Sequence, residues 1–291
     1  MPNFRSQSSS RSRRPVSSPS RGPDGSRDSP GSSRSRRSAG SRGSPGSSLQ
    51  AAAVPAATAI AAAWVAYALP ALTGAGYAVP ALEGPAAALR RALAVQTLTC
   101  DRRGCALTFD DGPHPAGTPA LLEILAAAGV RATFFLVGEQ VRANPSLAAE
   151  IVACGHVVGL HCDRHRNLLR LSPSQVRTDL EKAEASIIGA TGCSPQLYRP
   201  PYGILNAAAL LHARREGWRT LLWSQWGRDW EARATPSSIA EHLTEGLKEG
   251  SVLLLHDADH YCARGSWRRT AAALPTVIAT VRERGLSFST P

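Results

Sequence analysis

The chain has 291 residues and a formal charge of +11, which is room for one domain of more than 200 residues and a long extension. Residues 1–48 hold ten Arg against two Asp, so they carry +8 of that charge and the remaining 243 residues only +3. The basic excess belongs to the N-terminal segment and gives no ground to expect a nucleic-acid partner for the rest of the chain. The six cysteines (Cys100, Cys105, Cys154, Cys162, Cys193, Cys262) contain no C-x-x-C pair, which excludes a zinc ribbon or a thioredoxin-like site. A chain of this size needs no disulfide staples, and most of the cysteines are expected to be small buried hydrophobes.

Residues 1–48 are Ser, Arg, Pro and Gly with almost nothing apolar, the composition of a disordered tail. Its Ser-Arg repeats suit either electrostatic contact with RNA or another phosphate-rich surface, or no contact at all. Residues 43–82 contain no charge, and within them Leu49 to Leu69 is Ala-rich and apolar with one Pro at 55. Residues 49–99 therefore read as an apolar segment and linker. As a helix, 49–69 would nearly span a bilayer, and the upstream arginines would hold its N-terminus in the cytoplasm and place the rest of the chain outside. Ala66-Tyr67-Ala68 also has the form of an export cleavage site. The alternative is an Ala-rich linker or leading helix. An exported or membrane-anchored protein is the expectation.

From residue 100 to 291, strand-like and helix-like runs alternate. Strands are predicted at 105–110, 131–137, 156–161, 196–199, 219–224, 251–256 and 284–288. Helices are predicted at 118–128, 140–154, 173–189, 205–217, 236–247 and 268–283. Such alternation is the pattern of a parallel α/β architecture, either barrel or open sheet. Both gather their chemistry at the C-terminal ends of the strands.

Polar clusters fall at those ends. Leu107 and Phe109 read as buried strand residues leading into Asp110, Asp111 and a Gly112-Pro113 break. The pair is either an Asp-Gly turn, or one carboxylate for a metal and one for protons, since adjacent carboxylates crowd their charge unless a cation absorbs it. His161 and His165 at i, i+4 are expected on one face of a helical turn, within reach of one metal. With one Asp they make three protein ligands, the number of a catalytic metal site with one position left for water. Arg199 precedes Pro200, Pro201, Tyr202 and Gly203 in a rigid loop, where it would pair with Asp110 and keep it ionised. Trp223, Trp226 and Trp230 flank Asp229, an apolar lining suited to sugar faces or an acyl methyl. A buried strand ends in His256, which Asp229 would orient and whose pKa it would raise, making a general acid. His114, Asp259 and His260 lie near these motifs without an assigned role. His212 and His242 fall on predicted helices as surface residues.

With these motifs in place, the chain resembles the polysaccharide deacetylases of the NodB-homology type, carbohydrate esterase family 4. The resemblance spans residues 100–290. It rests on T-F-D-D-G at 108–112, H-x-x-x-H at 161–165, R-P-P-Y-G at 199–203, D-W at 229–230 and L-x-H at 254–256, in the family's order. It implies an irregular (β/α) barrel and a metal-dependent hydrolase that removes acetyl groups from sugars of the N-acetylglucosamine type. Asp111, His161 and His165 would bind the metal. Asp110 would be the general base, held by Arg199. The Tyr202 N–H would face the oxyanion. His256 would be the acid, oriented by Asp229, and Trp230 and Leu254 would line the acetyl pocket. Zinc is the expected ion, and cobalt, nickel, manganese or iron(II) suit the same donors. The expected partner is an acetylated glycan such as peptidoglycan or a chitin-type oligomer; the oligomeric state is left open. Two positions depart from the family pattern. Cys162 stands where the family has Ser or Thr, a weaker hydrogen-bonding group and a soft ligand that competes for metal. Trp226 stands where the family has Asp. A small non-sugar amide as substrate, or a catalytically silent glycan-binding module, is the alternative on the same scaffold.

Overall fold

The computed structural model describes Arg90, residues 93–99 and residues 104–291. The tail 1–48, the segment 49–69 and Cys100 lie outside the described residues. Among the described residues no helix is long and apolar enough to cross a membrane.

The strands are β1 Val95–Gln96, β2 Gly104–Asp110, β3 Thr133–Val137, β4 Val157–Cys162, β5 Leu197–Tyr198, β6 Arg219–Leu221, β7 Gln225–Trp226, β8 Val252–His256 and β9 Ser287–Phe288. The helices are α1 Gly117–Ala128, α2 Gly138–Ala143, α3 Pro145–Ala153, α4 Pro173–Thr191, α5 Ala207–Arg215, α6 Pro236–Thr244 and α7 Ser266–Glu283. The strands pair in parallel in the order β1-β6-β5-β4-β3-β2-β8-β7, and β9 pairs with the start of β2. This is an irregular (β/α) barrel. Its seam lies between the end strands β1 and β7, and the chain crosses it on the way from β6 to β7: Leu222 N–H donates to Gln96 O in β1, and Ser224 N–H donates to Val252 O in β8.

Strand alternation sorts the side chains into two layers. Cys105, Leu107 and Phe109 of β2 and Leu253 and Leu255 of β8 pack under the helices, as do Phe134, Leu136, Val158 and Leu160. Ala106, Phe135, Leu197, Leu221, Val252 and Leu254 form a second cluster inside the barrel. Asp110 and His256 continue the inner set and are register partners across β2 and β8. A strand buried on both faces reads as a continuous apolar run, and all of β2 and β3 is buried.

Several boundaries differ from the sequence expectation. The helix predicted at 140–154 is two, because Asn144 precedes Pro145 and leaves helical geometry at φ −137° and ψ 59°. The strand predicted at 219–224 stops at Leu221, where the chain turns across the seam. His212 is buried rather than on the surface, with Trp218 packed edge-on to its ring at 5.4 Å. Burial holds for Cys105 and Cys162, whereas Cys154 and Cys193 are exposed beyond helix ends.

Candidate active site

The inner face of the barrel is filled from below by Arg199, whose side chain is fully buried. Its guanidinium lies 4.0 Å over the Phe135 ring. Nε and Nη2 donate to the carbonyls of Leu221 and Leu222 at 2.9 and 3.0 Å, and Nη1 donates to Thr108 Oγ1 and Asp110 Oδ1 at 2.8 and 2.7 Å. The buried charge is thus paired and four of its five N–H donors are used, the condition for tolerating it. The expected Arg199–Asp110 pair forms. Burial nevertheless outweighs Arg199 and His256 and holds the Asp110 carboxyl above its ordinary pKa.

Asp111 turns the chain out of β2 at φ +80°, a left-handed conformation costing of order 1–3 kcal/mol in a non-glycine residue. Gly112 follows because a Cβ there would lie 2.2 Å from Asp257 Oδ2. The turn points the Asp111 carboxylate at two imidazoles: Oδ1 is 3.6 Å from His161 Nε2 and 3.3 Å from His165 Nε2. Burial lowers both histidine pKa values to about 3, so each ring is neutral near pH 7. His161 Nδ1 lies 2.7 Å from Arg199 O, to which it donates, leaving the Nε2 lone pair toward Asp111. Burial, with Asp110, Asp257 and Asp229 nearby, pushes Asp111 up to about 7, and its Oδ1 is buried without a hydrogen-bond partner. Two neutral imidazoles and one unsatisfied carboxylate oxygen, with ligand atoms within 4.8 Å of one another, fit a divalent transition ion.

The two histidines do not share a helical turn. His161 lies in β4 and His165 in the loop after it. The loop is set by tertiary contacts: Asp163 N–H donates to Asp179 Oδ2 at 2.8 Å, Asp179 Oδ1 accepts from Arg166, and Asp163 pairs with Arg142 and Lys182. Cys162 is fully buried, its thiol pushed well above the ordinary pKa by burial and nearby carboxylates. It is outside the Asp111–His161–His165 group.

On the opposite side of Asp111, His256 Nε2 lies 4.0 Å from Oδ2. Its Nδ1 is 2.9 Å from Asp229 Oδ1. Burial opposes charge on His256, but Asp229, Asp111 and Asp110 outweigh it and raise the pKa to about 10. Trp230 stands edge-on to His256 at 5.5 Å, and Leu254 is two residues before His256 on the same face. Trp226 packs between Trp223 and Trp230 at 6.2 and 5.5 Å, so the position where the family has Asp is part of an aromatic wall. Tyr202 has φ +59° and is 54% exposed. His114 Nε2 faces Asp259 Oδ1 at 3.2 Å, joining the loops after β2 and β8. Three residues in contact with the site have no assignment from the sequence: Thr108 accepts from Arg199, Thr270 donates to Asp229, and Tyr261 stacks on His165. Thr108 was visible inside the first motif, while Thr270 and Tyr261 carry no local signal because only tertiary packing brings them here.

The family model described as polysaccharide deacetylase matches residues 99–221. A peptidoglycan-N-acetylglucosamine deacetylase of Bacillus cereus is 34% identical over 187 residues, covering 64% of this chain and 84% of that protein. A chitooligosaccharide deacetylase of Azorhizobium caulinodans is 33% identical over 198 residues, 66% of this chain and 94% of that protein. The structure of a family 4 carbohydrate esterase from Streptomyces lividans in complex with acetate superposes with a TM-score of 0.59 at 31% identity, covering 66% of this chain and 94% of that one. The chain belongs to the polysaccharide deacetylase family.

Proposed function

We propose that residues 100–291 form the catalytic domain of a metal-dependent deacetylase acting on N-acetylated, and by the same chemistry O-acetylated, glycans. The observation that carries this reading is the convergence of Asp111, His161 and His165 between two built pairs, Asp110–Arg199 and His256–Asp229. Asp111, His161 and His165 would hold the ion, which supplies a lowered water pKa and polarisation of the amide carbonyl. Zinc suits this donor set.

Arg199 engages Asp110 Oδ1 and orients the carboxylate, whose other oxygen takes the proton of the attacking water. The water oxygen bonds to the carbonyl carbon as that proton leaves. The Tyr202 N–H, in the turn set by its positive φ, donates to the carbonyl oxygen as negative charge develops there. His256, cationic near pH 7, gives its Nε2 proton to the departing nitrogen as the C–N bond breaks, and acetate and the free amine result. Trp230 and Leu254 give the acetyl methyl an apolar seat.

Relatives named for peptidoglycan and for chitooligosaccharide support a glycan rather than a small amide, and the aromatic wall suits a sugar face. A cell-wall polymer outside the membrane accords with the arginine-flanked apolar segment 49–69. The test is acetate release by the full chain from N-acetylglucosamine oligomers and from peptidoglycan, after chelation and after adding zinc. Zinc-restored release supports the reading. Release on neither polymer, with zinc still bound, overturns it.

A further inference from the structure

His161 and His165 are held in different ways. A metal-binding histidine ordinarily donates its second ring N–H to a carbonyl or carboxylate, which fixes the rotation of the ring. His161 does so through Arg199 O at 2.7 Å. His165 Nδ1 is buried with no partner outside its own residue. Its ring lies instead between two tyrosines. Tyr261 stacks on it face to face, with centroids 4.5 Å apart and planes 14° from parallel, and Tyr202 meets it edge-on at 4.4 Å.

The two brackets are unequal. Tyr202 is exposed at the rim. Tyr261 is anchored: its hydroxyl donates to Glu139 Oε1 at 2.7 Å and accepts from Gln140 Nε2 at 3.1 Å, both in α2. Its loop is braced by Asp259, whose Oδ2 accepts the Gly265 N–H at 2.6 Å and whose Oδ1 faces His114 Nε2. His114 Nδ1 in turn accepts the N–H groups of Ala116 and Gly117 at 3.1 and 2.8 Å, so in the neutral ring the proton sits on Nε2, toward Asp259. The loops after β2, β4 and β8 and the helix α2 that follows β3 are thereby tied together around one imidazole.

We propose that Tyr261 is a positioning residue for the metal centre: its ring, anchored by Glu139 and Gln140, sets the rotation of His165 as a hydrogen bond sets that of His161. The proposal rests on Asp111, His161 and His165 being the ion-binding group. It predicts an effect on ion affinity, measurable without turnover.

The experiment titrates Zn²⁺ into the chelator-stripped full chain against a competing chelator, with Tyr261→Leu, Tyr261→Phe and His165→Ala alongside. Tyr261→Leu is expected to weaken binding roughly 10- to 100-fold, the usual cost of losing a group that orients a ligand. Tyr261→Phe keeps the ring but loses the hydroxyl that anchors it to Glu139 and Gln140, so its affinity should fall between those of wild type and Tyr261→Leu. Circular dichroism and thermal unfolding of the stripped variants separate this effect from misfolding. Wild-type affinity in Tyr261→Leu, with affinity lost in His165→Ala, overturns the proposal and leaves the ion-binding group intact. Wild-type affinity in His165→Ala overturns the group itself. Should Tyr261→Leu not fold, imidazole NMR of the stripped wild-type chain decides. The stack requires His165 ring protons displaced upfield by the Tyr261 ring current, and their absence from that position overturns the proposal.

Discussion

Asp229 holds His256 at two points, with Oδ1 2.9 Å from Nδ1 of the ring and Oδ2 accepting the same residue's backbone N–H at 2.8 Å. Thr270 Oγ1 donates to Oδ2 at 2.7 Å and completes the grip. The arrangement puts a proton on Nδ1 and turns Nε2 toward Asp111. Because Asp229 is fully buried, its charge acts on His256 with little screening. Asp229→Asn should therefore lower the His256 pKa from about 10 toward the ordinary 6.5. The acid form of His256 is lost as pH rises through its pKa, so the alkaline limb of kcat/KM for acetate release moves to lower pH. A pH–rate profile with an unmoved limb would place the general acid elsewhere.

Asp110 and Arg199 make a separable prediction. Asp110→Asn preserves an oxygen for Arg199 Nη1 but removes the base. Turnover should fall roughly 10²- to 10⁴-fold, with zinc content unchanged. Asp110→Ala additionally strands a fully buried guanidinium, and breaking such a pair costs about 3–5 kcal/mol. Comparing Tm for the two variants tells the base role from the structural one. Wild-type turnover in Asp110→Asn would remove Asp110 from the chemistry.

Much of this site is legible in the chain because parallel strands buried on both faces are apolar until the residue where they end. Asp110, Asp111 and His256 announce themselves as the polar stops of such runs. The two-residue strands β1 and β7 give no periodicity to read, and Trp226 looks like turn sequence until β8 is beside it. The break at Asn144 was encoded in Pro145. The convergence of His161 and His165 on Asp111 was legible from their spacing, but the geometry that brings it about was not. The bend between them is set by Asp179, Arg142 and Lys182, which lie elsewhere in the sequence. Tyr261 and Thr270 reach the site only through the packing of distant loops and helices.

Asp111 couples the site to stability. Its folded pKa of about 7 is above the ordinary 3.8, so the folded chain prefers the protonated form. That contribution is fully present below about pH 3.8 and is lost as pH rises through about 7, and Asp257, also raised to about 7, adds to the same slope. Stripped of metal, the chain should lose Tm across this window, and Asp111→Asn should lose less. Zinc should restore stability above the window, by about 2.7 kcal/mol at 100 times Kd, and protons should oppose it below. Zinc stabilisation of Asp111→Asn equal to that of wild type would remove Asp111 from the ion-binding group.

Gly159 links barrel packing to the Asp110–Arg199 pair. It lies in β4 on the interior side, and a Cβ there would sit 2.6 Å from the Phe135 ring. That ring carries the Arg199 guanidinium on its face at 4.0 Å, and Arg199 in turn holds Asp110. Gly159→Ala cannot be absorbed locally, since Phe135 is fully buried and close-packed. Overpacking of this kind costs about 1–3 kcal/mol. The ring's displacement should also carry Arg199 with it, lowering kcat more than it raises KM. Phe135→Leu in the same chain relieves the clash and should recover part of the Tm, while the guanidinium loses its aromatic floor and turnover stays low. Thermal unfolding and acetate-release kinetics on the two single variants and the double variant measure the coupling. Additive effects would show that Gly159 and Phe135 act independently and that this route to Asp110 does not exist.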